Sequence, residues 1–97
     1  MVMASGKISL TDEEFQSIGR ALADPRRFAI LQQVAAAEAM TCSALQAHEV
    51  ISAATISHHL KDLCEAGLIQ MERCGRVSNL TFRRPVWDAY RERLARI

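Results

Sequence analysis

The hydrophobic period of this chain changes once, abruptly, and that change limits its possible folds more than any other feature. Between Ser52 and Ala66, the apolar residues Ile56, Leu60 and Leu63 recur at i, i+4 and i+7, the spacing of one helix face. Ser52 is suited to cap the start of this helix, and Gly67 to take the left-handed position just past its end. Beyond Gly67 the period becomes two. Ile69 and Met71 fall on one side of a strand, Gly75 sits in a turn, and Leu80 and Phe82 return on the same side.

Upstream, the signals are helical. Thr11 with Glu14 three residues later forms a capping box ahead of Phe15, Ile18 and Leu22, so a helix is expected over about 11–23, preceded by a loose arm from Met1 to Leu10. Asp24-Pro25 opens the next helix, over about 25–38, with Phe28, Ile30, Leu31 and Val34 as its apolar face. A short helix from Ser43 to His48 carries Leu45, with Thr41 or Ser43 as its cap. Downstream of the hairpin, a last helix over about 85–96 lines up Trp87, Tyr90, Leu94 and Ile97.

Two short helices, a tight turn, a longer helix and a two-stranded ribbon make a winged helix-turn-helix. The expected fold is mainly α with a small β-hairpin (α+β), about five helices plus a two-stranded wing, in a single domain over residues 1–97. On its longest amphipathic helix, if Ile56, Leu60 and Leu63 point inward, Ala54, Ser57, His58 and Lys61 form an outward strip. Small groups such as Ala53 and Ala54 allow close approach to a DNA groove and contact with a thymine methyl. Ser57 and His58 can hydrogen-bond to bases or phosphates, and Lys61 supplies a phosphate charge. Ser52 and Thr55 complete this face at its N-terminal end. Arg73 and Arg76 bracket the hairpin turn, where guanidinium groups reach phosphates or a narrow minor groove. His59 falls on the inward side, where a histidine is more often a hydrogen-bonded core or hinge residue than a reader of bases, and is expected to be structural.

Composition agrees with this reading without requiring it. The 97 residues are 49% hydrophobic and 24% charged, with a net charge of only +1. The charge is uneven: residues 51–97 hold eight Lys and Arg against five Asp and Glu. No apolar run has secretory or membrane-spanning length, and three cysteines cannot all pair with one another, so a soluble, reduced, cytoplasmic chain is expected, with no membrane partner. A domain this small leaves apolar surface for a partner subunit to cover.

The stretches "LADPRRFAIL" (Leu22 to Leu31) and "ISHHLKDLCEAGLI" (Ile56 to Ile69), followed by "CGR", closely resemble the ArsR/SmtB family of bacterial transcriptional repressors. The resemblance covers roughly Leu22 to Phe82. It implies that the helix over Ser52–Ala66 enters the major groove of a double-stranded DNA operator and that the hairpin is the wing. It also implies a homodimer held through the first and last helices, with Phe15, Ile18, Leu22, Trp87, Tyr90, Leu94 and Ile97 as interface candidates. One departure concerns the turn of the motif: the family usually has Gly where this chain has Val50, and a β-branched residue avoids positive φ.

The family's two recurring metal sites are not intact here. Its paired cysteines fall on Thr41 and Ser43, with only the intervening Cys42 being a thiol, and the last helix offers Asp88 and Glu92 but no histidine. No metal and no cofactor are therefore expected, and the effector is left open. His58 and Asp62, at i and i+4, read as a solvated pair. Cys64 and Cys74 are separated by about 20 Å of strand, too far for a disulfide. Cys42 has two readings: a reactive thiol, its pKa lowered at a helix start, or a small packing residue. A cysteine-histidine enzyme built on Cys42 or Cys64 would need an orienting group and an oxyanion site that a chain of this size does not visibly supply, so no catalytic residue is assigned. A winged helix serving only protein interaction would have an idle outward strip. Here Ser57, His58 and Lys61 are present.

Overall fold

The computed structural model describes residues 8–48 and 52–97; Val50 lies outside the described residues. In chain order the elements are α1 (Asp12–Leu22), α2 (Pro25–Ala37), β1 (Ala39–Thr41), α3 (Cys42–His48), α4 (Ala53–Glu65), β2 (Ile69–Cys74), β3 (Val77–Phe82) and α5 (Arg84–Ala95). The architecture is a winged helix-turn-helix, with five helices packed on one antiparallel sheet.

Four of the helices begin where a capping side chain satisfies free backbone donors, while α5 has no side-chain cap and starts with Pro85 in its first turn. At α1 the Glu14 N–H donates to Thr11 Oγ1 (3.0 Å) and the Thr11 N–H donates to Glu14 Oε1 (2.8 Å), a complete capping box. Asp24 Oδ1 accepts from the Arg26 N–H at 2.8 Å and Pro25 occupies the first turn of α2. Thr41, the first of the two candidates, caps α3 by accepting from the Ala44 N–H at 3.1 Å. Ser52 caps α4 through the Thr55 N–H at 3.2 Å. That helix ends in a Schellman motif: Gly67, at φ +83°, donates to the Cys64 carbonyl and Leu68 donates to the Leu63 carbonyl.

The sheet has a strand that the sequence did not announce. β1 joins β3 on the side away from β2, giving the order β1-β3-β2, with Ala39 opposite Thr81 and Thr41 opposite Asn79. Three residues are too few to show a period. Glu38 makes the connection at φ 64°, a conformation costing a non-glycine residue about 1–2 kcal/mol. Its carbonyl accepts from the Phe82 N–H at 2.9 Å, tying the end of α2 to the sheet. In the hairpin, Ile69 pairs with Phe82 and Met71 with Leu80, as the alternation predicts. Gly75, at φ 63°, takes the first position of the two-residue turn, the glycine position of a type II′ hairpin.

The core gathers Ile18, Ile30, Val34, Leu45, Ile56, Leu60, Leu63, Leu68, Ile69 and Leu80, with Val86 and Tyr90 closing it from α5. Three sequence-based expectations change. Ile8 and Leu10 pack against this core, so the arm is anchored at its inner end by apolar burial. Phe28 lies 38% exposed at the margin of the α2 face instead of inside it. Ile18 and Tyr90, taken as interface candidates, are buried in their own chain at 0% and 8% exposure. The faces of α1 and α5 partly satisfy each other within one molecule: the Phe15 and Tyr90 rings lie 5.0 Å apart, and Arg93 stacks over Phe15 while pairing with Asp12.

Candidate nucleic-acid interface

The buried face of α4 fixes what its other face can offer. Ile56, His59, Leu60 and Leu63 turn inward, so Ala53, Ala54, Ser57, His58 and Lys61 are all exposed, in one strip. Ser52 and Thr55 are engaged with each other at the N-terminus, their hydroxyls 2.9 Å apart, which leaves them as helix-cap residues first. His59 is buried on the inward side, and among the described residues neither ring nitrogen has a hydrogen-bond partner, so of the two inward roles the hydrogen-bonded one is not found.

Lys61 reaches Glu65 at 4.0 Å, with both side chains well exposed, a contact easily exchanged for another anion. His58 Nε2 lies 3.8 Å from Asp62 Oδ2. Asp62 is not simply a solvated partner, because Arg27 Nη1 also approaches the same oxygen at 3.4 Å. Arg27 comes from α2 and donates through Nε to the Ala21 carbonyl (2.8 Å) and through Nη2 to the Arg20 carbonyl (2.9 Å). One guanidinium therefore ties the end of α1 to α4, a role that the sequence pattern did not reveal.

The wing arginines differ in placement. Arg76 is exposed in the turn beside Gly75. Arg73 pairs with Ser78 in register and lies on the same face of the hairpin as Met71, so it turns toward the helices. There it lines an open cavity of about 560 Å³ with Met71, Cys42, Ser57, Lys61, Cys64, Glu65 and Ser78. The strand alternation alone could have shown that Arg73 and Met71 share a face; it could not have shown that α3 and α4 lie opposite.

The cysteines occupy two environments. Cys74 is exposed on the wing, whereas Cys42 and Cys64 are partly buried against the core. Burial pushes the Cys42 thiol above its ordinary pKa, only partly opposed by Arg73, so the depression expected at a helix start is not found. The Cys64 thiol is raised by burial first, then by Cys42 and Glu65. Both are neutral thiols near pH 7. Among the described residues no group of three or more His, Cys, Asp and Glu is placed to hold a metal ion, and no helix is long and apolar enough to cross a membrane.

The helix-turn-helix domain family matches residues 22–72, about half of the chain and all of α2, α3 and α4. No curated protein sequence matches. Among solved structures, the chain is similar to an ArsR family transcriptional regulator, with 26% identity, coverage of 92% of this chain and 91% of that one, and a TM-score of 0.79. It is similar to an ArsR-like transcriptional regulator from Rhodococcus sp. RHA1 at 25% identity over 87% of this chain and 78% of that one, with a TM-score of 0.77. A third, described as a possible transcriptional regulator for arsenical resistance, is 28% identical over 78% of each chain, with a TM-score of 0.70. With its winged architecture, its exposed strip on α4 and these relatives, the chain belongs to the helix-turn-helix family as a DNA-binding transcriptional regulator of the ArsR type.

Proposed function

We propose that the protein is a homodimeric, sequence-specific repressor that places α4 in the major groove of an operator and the wing on the flanking backbone, and that it does not use the family's metal sites. The observation that carries this reading is the exposed strip Ala54, Ser57, His58 and Lys61 beside Arg73 and Arg76, with α4 fixed from behind by its buried face. Ser57 and His58 read bases, while Lys61 and Arg76 neutralise phosphates. The dimer is supported by Leu94 and Ile97, 42% and 99% exposed at the end of α5, and by Phe15, Leu22 and Trp87, which are only partly covered. Two copies would set their reading helices about 34 Å apart, one turn of DNA, or a small multiple of it.

The test measures affinity for a duplex selected by the protein, as a function of salt. Lys61→Ala and Arg76→Ala each lower the salt slope by about one unit, whereas Ser57→Ala and His58→Ala relax sequence preference by about 1–3 kcal/mol at one position. Unchanged affinity and slope in both cation variants would remove this face from DNA and favour a protein-interaction role. Sedimentation at micromolar concentration reports the dimer, and a monomer there refutes it. Lower transcript yield from a promoter overlapping the selected site marks repression; higher yield marks activation.

A further inference from the structure

We propose that the cavity between α4 and the wing is a binding site for an aromatic carboxylate, and that its occupation releases DNA. The inference rests on the phosphate-neutralising role of Lys61 given above. Its physical basis is an unusual pairing of wall and rim. The wall carries three sulfur atoms, from Cys42, Cys64 and Met71, and the cavity lies between a helix and a sheet face. Because burial keeps both thiols protonated, the sulfurs form an apolar, polarisable surface, and the one carboxylate of the lining, Glu65, is set against Lys61 at 4.0 Å. Sulfur packs favourably against aromatic rings. Met71 is 43% exposed although it sits in register with the buried Leu80, so its outer side lacks the cover that Ile69 and Phe82 receive.

At the rim stand two cations. Arg73 can present a planar, two-pronged donor suited to a carboxylate, and Lys61 makes an exposed contact with Glu65 of the same lining, a contact that a ligand carboxylate would replace. A volume of about 560 Å³ is within the usual range for small-ligand sites. An aromatic ring against the sulfurs with its carboxylate toward Arg73 and Lys61 uses both halves of the site. It also neutralises Lys61, the charge assigned above to a DNA phosphate, so ligand and operator compete, and each lowers the affinity for the other by the same factor.

The test uses the full chain with 1-naphthoate as probe and the neutral 1-naphthylmethanol as control. Naphthoate is expected to shift the backbone amide signals of Cys42, Cys64 and Ser78, to slow maleimide labelling of Cys64 but not of the exposed Cys74, and to weaken binding to the selected duplex by about tenfold. The alcohol produces none of these effects at the same concentration. Ser78→Tyr fills the cavity from the wing side, abolishing the response while DNA binding persists. Should that variant fail to fold, the Cys64 to Cys74 labelling ratio in the unaltered protein decides. Naphthoate shifts that are absent or lie elsewhere, equal binding of the alcohol, or binding without loss of DNA affinity would each overturn the proposal. If instead no duplex is bound under any condition, the repressor reading fails, and the labelling and shift data still report separately on the cavity.

Discussion

Replacing Arg27 by methionine keeps most of the apolar stem and removes the guanidinium that joins α1, α2 and α4. The Arg20 and Ala21 carbonyls belong to the last turn of α1; Arg27 donates to the Ala21 carbonyl at 2.8 Å and adds a 2.9 Å bond to the Arg20 carbonyl, which already accepts from the Ala23 N–H at 3.2 Å. A cation at a helix C-terminus also interacts favourably with the helix dipole. Hydrogen bonds from a charged donor contribute about 1.5–3 kcal/mol each, but water can reach part of this site, since the Arg27 side chain is 19% exposed. The contacts to Asp24 and Asp62, at 3.8 and 3.4 Å and partly solvated, add less than about 1 kcal/mol together. The expected loss for Arg27→Met is about 2–4 kcal/mol, a large share of the 5–15 kcal/mol that usually holds a small domain together. Urea unfolding monitored by circular dichroism, with the same m-value in both proteins, measures it. Arg27→Lys should fall between the two, because one ammonium cannot serve carbonyls and a carboxylate in three directions. A loss below about 0.5 kcal/mol in Arg27→Met would show that water replaces the guanidinium at the α1 end and that Arg27 does not brace the three helices.

Three further outcomes are expected. The Asp24 carboxyl is held below its ordinary pKa, chiefly by the Arg26 N–H, so its contribution is complete above the unfolded value of 3.8 and lost as pH falls through the lower folded value. Asp24→Asn should flatten that acid limb of a melting-temperature profile, and an unchanged limb would assign it to other carboxylates. Gly67→Ala should cost about 1–2 kcal/mol by thermal melting. A methyl there meets only Val86 Cγ1 at 3.9 Å, so the cost comes from φ +83° and not from crowding; a neutral change would mean that the Schellman turn relaxes freely. Zinc and trivalent arsenic at low micromolar levels should leave DNA bound, since Thr41 and Ser43 are poor ligands for such ions. Stoichiometric release that persists in Cys42→Ser would contradict this.

The chain's local signals decide its elements. Thr11 with Glu14, Asp24 with Pro25, and Ser52 set the starts of α1, α2 and α4, and Gly67 and Gly75 set the helix stop and the hairpin turn, because capping and positive φ depend on residues close in sequence. The alternation of Ile69, Met71, Leu80 and Phe82 even fixed the register, since slipping by one residue would turn every apolar side chain to water. With Ile56, Leu60 and Leu63 inward, the strip from Ala54 to Lys61 followed from helix geometry alone. What the sequence could not decide depends on distances between elements far apart in the chain. β1 exists because Glu38 turns back and β3 offers an open edge, not because Ala39 to Thr41 favour a strand. Ile18 and Tyr90 look like interface residues on a helical wheel, yet α1 and α5 bury them within one molecule. Arg27, separated from Asp62 by 35 residues, and Cys42, brought to one cavity with Cys64 and Arg73, acquire their roles only when α2, α3, α4 and the wing meet. A periodic pattern states which face of an element is apolar; the face it meets is settled by packing the elements together.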